Sequence, residues 1–302
     1  MIGKYLAHRL CQDSNYDEVV CTTYHSSVSA IDSKLFFRNS KIKLVDYQSE
    51  ISNQTSKFDE IWHFATYGQP GRFRESWEGM VKANSHDIGR LNDKLSDTGH
   101  FYYASSSEVY GSIDKASESD TNRVFTSGIR GIYTESKLLG ELIIQNIIGK
   151  ERSTSFRICL TYAPAFRFDD KRVLYELIIK ALVDGCVSLI DDGSAIRQYL
   201  YIDDAINMML GVRDKRCSGL TDIFTFNISN PNYTSIYSAA KMIADFFNVD
   251  VKPGKGDPHL GALKSTEVIP VAYNSILGSY SYTDLNTGIA KVCQFASEHY
   301  KV

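Results

Sequence analysis

The chain has 302 residues, 43% of them hydrophobic, and a formal net charge of −3. That length suits one large domain or two unequal lobes, and that composition excludes an intrinsically disordered chain. A near-neutral balance gives no reason to expect nucleic acid or a membrane surface as partner, so a charged ligand must be held by local groups.

MIGKYLAHRL opens the chain. Ile2, Leu6 and Leu10 fall four apart, with Lys4, His8 and Arg9 off the stripe, which predicts an amphipathic helix. DEVVCTTYH reads as a strand, and KIKLVDYQ and DEIWHFATYG as two more. Trp77, Met80, Val81, Asn84, Ile88, Leu91 and Leu95 keep helical spacing. HFYYASSSEVYG is a strand running into a serine-rich turn, YTESKLLGELIIQNII a helix, and SFRICLTYAP a further strand. Strands alternating with helices predict βαβ units and a parallel sheet, whose ligands sit at the carboxyl ends of the strands.

Past Pro164 the alternation is less regular. RVLYELIIKALVDG is a helix closed by Gly185, and RQYLYIDDAINMMLGV a short strand and a helix. FTFNISN is a strand, and YTSIYSAAKMIADFFNV a helix capped by Thr234 or Ser235. PGKGDPHLGALKST is a loop and NTGIAKVCQFASEHY a closing helix. The expected fold is α/β, a Rossmann-like doubly wound parallel sheet with a smaller α/β substrate lobe. Residues 1–163 form the first lobe, with 195–224 returning to it. Residues 164–194 and 225–302 form the smaller lobe.

Cys11, Cys21, Cys159, Cys186, Cys217 and Cys293 show no C-x-x-C spacing. That argues against a zinc site or a disulfide framework and for a reducing compartment. No apolar run reaches membrane-spanning length and the start has no signal-peptide pattern, so a cytoplasmic protein is expected, with no metal.

Two motifs carry chemistry. In GIRGIYTESKLLGE, Tyr133 and Lys137 stand four apart on a helix and share a face. A free phenol titrates near ~10, and an adjacent ammonium lowers that value. Tyr133 is then a candidate base for a sugar or alcohol hydroxyl. In YASSSEVYG, Ser105, Ser106, Ser107 and Glu108 follow a strand at the crevice edge. A serine there can hold the reacting oxygen against Tyr133, and the carboxylate can handle a proton on the neighbouring carbon. Each motif alone is common as an exposed Tyr–Lys pair or a solvated turn. Their order and separation form a specific pair.

With these motifs the chain resembles the extended short-chain dehydrogenase/reductase family of nucleotide-sugar epimerases, dehydratases and decarboxylases. IWHFATYG resembles the strand and loop over the cofactor, which implies Phe64, Ala65 and Thr66 against the cofactor and Tyr67 near the substrate. KANSHDIGRL resembles the family's N-x-x-G-T-x-x-L helix, and FNISNPNYTSI its N-x-G-(N/S)-P element. RQYLYIDDA resembles the R-x-(F/W/Y)-x-Y-(V/I)-D-D segment, implying Arg197 at the substrate diphosphate or at a carboxylate; a surface ion pair with Asp203 or Asp204 is the alternative. The resemblance implies bound NAD, a Ser106–Tyr133–Lys137 triad, a nucleotide-diphosphate sugar beside Ser107, and a homodimer built on the helices around 77–95 and 133–148.

Three departures stand out. MIG is similar to the last residues of the family's G-x-x-G-x-x-G turn, with Gly3 its third glycine, so an N-terminally shortened chain is expected over a natural variant with weakened cofactor binding. Val20–His25 carries no acid for a cofactor ribose, while Asp46 could meet the adenine or serve as a strand-end turn residue. Leu160 stands where relatives carry an asparagine, and Asp169, Asp170, Lys171 and Arg172 are expected to be a solvated charge run.

Glu108 in S-E-V-Y-G, ATYGQPGRF and GIRGIYTESK are closer to UDP-glucuronate decarboxylases and dehydratases than to epimerases. The resemblance therefore implies a decarboxylase or 4,6-dehydratase acting through a 4-keto sugar. A 4-epimerase, or a non-catalytic nucleotide-sugar binding or assembly protein, is the alternative.

Overall fold

The structure, a computed structural model, describes residues 1–302 except 24–27, 54, 67–72, 112, 121–127, 221, 257–265 and 301–302. The first half runs α1 (Ile2–Leu10), β1 (Val19–Thr23), α2 (Ala30–Phe36), β2 (Ile42–Asp46), α3 (Tyr47–Ser52), β3 (Phe58–His63), α4 (Trp77–Val81), α5 (Asp87–Asn92), β4 (Leu95–Ser106), β5 (Lys115–Ala116), α6 (Ile129–Ile143), β6 (Ser153–Ile158) and β7 (Leu160–Tyr162). The second half runs α7 (Val173–Asp184), β8 (Cys186–Ser188), β9 (Ile196–Arg197), β10 (Tyr199–Tyr201), α8 (Ile202–Cys217), β11 (Thr225–Ile228), β12 (Thr234–Ser235), α9 (Ile236–Phe247), β13 (Asp250–Lys252), β14 (Glu267–Val268), α10 (Val271–Leu277) and α11 (Leu285–His299).

The central sheet is parallel, in the order β11-β6-β4-β3, and β1 and β2 form a separate parallel pair. β11 pairs with β6, so the strand that a division at 225 assigns to the smaller lobe is an edge strand of the main sheet. β7 continues the line of β6 past Cys159 and pairs with β10, which carries the chain from the sheet toward the second half. The β9–β12, β8–β13 and β5–β14 pairs are short.

β6 is buried along its whole length, as expected of a strand covered on both faces. Across β3, β4 and β6, Trp62 stacks on Tyr102 at 3.9 Å, and Tyr102 lies parallel to Phe156 at 6.0 Å. These rings belong to one core that continues through Ile178, Met208, Ile243 and Val292, so both halves are built on the same apolar interior.

Local signals hold at several ends. Gly185 closes α7 in the left-handed conformation, with φ 62°. Ser235, one of the two expected caps, accepts from the Ser238 amide at the start of α9. The helix expected through Leu95 instead contains a π-turn (Lys82–His86) and stops at Asn92, and Leu95 opens β4. The Lys94 carbonyl accepts from the Phe58 amide, so strand pairing with β3 outweighs the helical spacing there.

α6 lies close over that π-turn. A methyl added at Gly140 would overlap the Tyr103 hydroxyl and the Asn84 carbonyl, and those two groups are already hydrogen-bonded to each other at 3.1 Å. Gly140→Ala is expected to destabilise the protein by about 1–3 kcal/mol in urea unfolding, despite the helix propensity of alanine. An unchanged or raised midpoint would show that the helix can move off the sheet.

Candidate active site

A cavity of about 790 Å³ opens at the carboxyl ends of the parallel strands. One wall is the end of β4, Ala104 to Ser106, with the 3₁₀ turn Ser107–Tyr110 that follows it. α6 adds Arg130, Tyr133 and Lys137, one above another at helical spacing. Arg197 on β9 and the 158–161 segment lie on the same cavity. The cavity is lined by seven Lys and Arg side chains against three Asp and Glu. In a chain of net charge −3, that local surplus marks a site for an anion.

Lys137 is only 2% exposed. Its Nζ donates to the Ala104 carbonyl at 2.6 Å and lies 4.9 Å from the centre of the Tyr103 ring and 6.0 Å from that of Tyr133. Burial lowers its pKa to about 7, and the Glu141 carboxylate one turn further along α6 works against that fall. Tyr133 is buried and stacks on Phe73 at 4.8 Å. Its phenol is held above its usual value by burial first and by the Glu108 charge second, while a hydrogen bond with Ser106 and the Arg130 charge pull it down. The lowered phenol expected from the Tyr–Lys pair is therefore not met by the protein groups alone, because desolvation outweighs them.

Ser106 accepts from the Glu108 amide at 3.2 Å and so shapes the turn. Glu108 Oε1 receives Arg130 at 3.0 Å, while its Oε2 is enclosed without a partner among the described residues. Ser107 lines the cavity. Behind this wall the Glu141 carboxylate is gripped by Arg157 Nε at 3.0 Å and Nη2 at 2.8 Å and accepts from Ser105 Oγ at 2.5 Å.

The other sequence candidates divide. Phe64 and Thr66 line the cavity, and Thr66 Oγ1 is buried without a partner among the described residues. Ala65 is exposed and outside the lining, and Tyr67 lies outside the described residues. Gly3 sits between lining residues Ile2 and Lys4, and a Cβ there would meet only Phe64 Cβ at 3.7 Å, an ordinary contact. Asp46 caps α3 by accepting from the Ser49 amide at 3.0 Å, the turn role offered for it, and is not among the cavity-lining residues. Arg197 donates to the Ile196 carbonyl, while Asp204 is engaged by Thr283 and Tyr280. Leu160, 38% exposed, presents an apolar side chain to the cavity.

The expected solvated run is a correction. Asp170 is buried against Arg172 at 2.6 Å, and Asp170, Lys171 and Arg172 all line the cavity. Lys4 also lines it and bridges Asp32 at 2.5 Å. Sequence reading passed over Arg130 and Glu141, although both stand on the Tyr133 face of α6, at three residues before and eight after. No helix among the described residues is long and apolar enough to cross a membrane, and no group of three or more His, Cys, Asp and Glu there could hold a metal ion.

The lowered Lys137 has a measurable consequence. An unfolded lysine titrates near ~10.4, so between pH 7 and that value the unfolded chain holds the extra proton. The penalty of burying the ammonium is fully present below pH 7 and is relieved as pH rises. Urea unfolding between pH 7.5 and 9.5 should give wild-type protein a stability slope more positive than that of Lys137→Met, by up to about 1.4 kcal/mol per pH unit. Equal slopes would mean that Lys137 titrates as an exposed lysine.

Residues 1–229 match the model of a family described as NAD dependent epimerase/dehydratase. UDP-glucuronic acid decarboxylase 6 of Arabidopsis thaliana is 24% identical over 260 residues, which are 83% of this chain and 73% of that one. UDP-glucuronic acid decarboxylase 1 of Xenopus tropicalis is 24% identical over 249 residues, 80% of this chain and 57% of that one. Among solved structures, a UDP-glucuronic acid 4-epimerase variant of Bacillus cereus, bound to a fluorinated UDP-glucuronic acid analogue and NAD, superposes with TM-score 0.81 at 20% identity, covering 99% of this chain and 97% of that one. The dTDP-glucose 4,6-dehydratase of Streptomyces venezuelae, with NAD bound, gives 0.82 at 18%, covering 99% and 94%. The Rossmann-like doubly wound sheet expected from the sequence is thus the fold of this chain.

Proposed function

The chain belongs to the NAD dependent epimerase/dehydratase family, and from that premise we propose that it modifies a nucleotide-diphosphate sugar through a 4-keto intermediate, with UDP-glucuronate decarboxylation the favoured reaction. One observation carries this reading: Ser106, Glu108, Tyr133 and Lys137 meet on one wall of a cavity with a basic surplus. The named decarboxylases among its relatives support the choice of reaction.

The residues present fit the reactive end of NAD. Tyr133 and Lys137 stand together, and Thr66 Oγ1 is an enclosed polar atom with no partner among the described residues. Bound there, NAD would accept the hydride from the sugar C4 position and give it back to the C4 ketone after the carboxylate has left. The protein groups do the rest. Tyr133 Oη takes the C4 hydroxyl proton, aided by the Lys137 and Arg130 charges and the Ser106 hydroxyl. Once C4 is a ketone, the C5–C6 bond pair can flow toward the carbonyl as the carboxylate leaves as carbon dioxide, and C5 then takes a proton. Glu108 orients the ring and handles that C5 proton. Tyr133 returns its proton as the alcohol is restored. Arg197 and Lys171 offer cations to the diphosphate or carboxylate. If C6 bears a hydroxyl instead, the same groups serve elimination of water. The rival reading, a nucleotide-sugar binder without turnover, is favoured by Leu160, which has no hydrogen bond to give.

Incubation with UDP-glucuronate and NAD should yield carbon dioxide and a UDP-pentose by mass spectrometry, with Tyr133→Phe lower by about a hundredfold or more. UDP-galacturonate as the product would make the protein a 4-epimerase. No product from any UDP-hexose or UDP-hexuronate would favour the binder.

We also infer a homodimer in the cytoplasm. The compartment rests on six free thiols. The dimer rests on Trp77, Ile132 and Leu139, with Leu142 at 57% and Ile147 at 68% exposure, around α4 and α6. Light scattering should give twice the chain mass, and Leu142→Asp should halve it; a wild-type monomer at micromolar concentration would remove the dimer.

A further inference from the structure

We propose that Arg130 is a positioning residue of this site: by holding Glu108 Oε1 it fixes the Glu108 carboxylate beside Tyr133 and the bound sugar. The proposal rests on the nucleotide-sugar reading above. Arg130 lies in the first turn of α6, three residues before Tyr133, and its Nη1 donates to Glu108 Oε1 at 3.0 Å. Both side chains line the cavity and are about one-third exposed, at 31% and 28%. A pair so exposed adds little stability, so its value lies in where it puts the carboxylate. The Glu108 amide is fixed on Ser106 Oγ, so the turn is held at one end and the carboxylate at the other. Oε2 is closed to solvent and has no donor among the described residues, a costly state for a carboxylate oxygen, so the Arg130 bond to Oε1 is what holds this carboxylate there.

The pair also sets the field at Tyr133. The groups facing that phenol are Ser106 and Glu108 from the turn, Arg130 and Lys137 from α6, and Tyr103 from β4. Ionising Tyr133 beside an unpaired Glu108 would place two anions together, and Arg130 offsets the second. Removing Arg130 alone must therefore oppose the phenolate more than removing Arg130 and Glu108 together.

The test compares wild type with Arg130→Met, Arg130→Lys, Glu108→Gln and the Arg130→Met/Glu108→Gln pair. In the crystal structure of Arg130→Met, the Glu108 carboxylate should leave its present position. Turnover of UDP-glucuronate should fall about a hundredfold at pH 7, and the acidic limb of kcat/KM should move up by about one pH unit. Arg130→Lys should restore most of the limb, because the charge remains. Adding Glu108→Gln should bring the limb back on whatever rate is left. A loss equal at every pH, or a limb that stays displaced in the double variant, would overturn the proposal. If wild type leaves UDP-glucuronate unchanged, the decarboxylase reading fails. The crystal structure of Arg130→Met then decides alone: Glu108 unmoved overturns the positioning role, and Glu108 displaced supports it.

Discussion

A buried ion pair between Glu141 and Arg157 ties the catalytic helix to the sheet. Arg157 comes from the middle of the parallel sheet and Glu141 from α6, and both are nearly closed to solvent. The carboxylate takes two guanidinium bonds and the Ser105 hydroxyl, while the remaining arm of Arg157 donates to Tyr110. Tyr110 donates in turn to Asn227 on β11, and Asn227 to the Ile269 carbonyl beyond β14. A buried pair satisfied this fully is tolerated, but losing one partner strands the other charge and costs about 3–5 kcal/mol. Lys137 lies one turn from Glu141, and Ser106 is the next residue after Ser105. The lysine, the serine and the turn that carries Glu108 are thus set by one buried polar cluster, which also reaches the second half of the chain.

That cluster supports a site whose own charges are in tension. Desolvation pushes the Lys137 ammonium toward neutrality and the Tyr133 phenol away from ionisation. The proposed reaction uses both in the charged form. The surrounding groups divide accordingly: Glu141 favours the ammonium, Arg130 and Ser106 favour the phenolate, and Glu108 opposes it. A chain of net charge −3 can present such a site because seven basic side chains line one cavity and only three acids, Asp32, Glu108 and Asp170, line it with them.

Much of this was legible in the sequence. Alternating strands and helices predicted the parallel sheet, and SSSEVYG and Y-x-x-x-K predicted the wall, because each depends on local spacing along one element. The parts that were not legible depend on partners or packing that local spacing does not mark. Arg157 is sixteen residues from Glu141, and nothing in either segment marks the bond. Asp170 and Arg172 read as a solvated run because their pairing and burial appear only once α7 packs beside the cavity. Asp46 caps α3 through the Ser49 amide, a local bond that a strand-end aspartate predicts. Leu95 kept helical period yet joined the sheet, where pairing with β3 governs. Arg130 stood in a motif already singled out; its role needed the distance to Glu108.

The central claim is that this cavity is built to hold a dinucleotide against Tyr133 and Lys137. Denaturing the purified protein and assaying the supernatant for NAD tests it most directly. The account predicts NAD, co-purified or taken up from added NAD, in near-equal amount to protein and lost in Lys137→Met. Protein that carries no NAD and takes up none at millimolar concentration would contradict it.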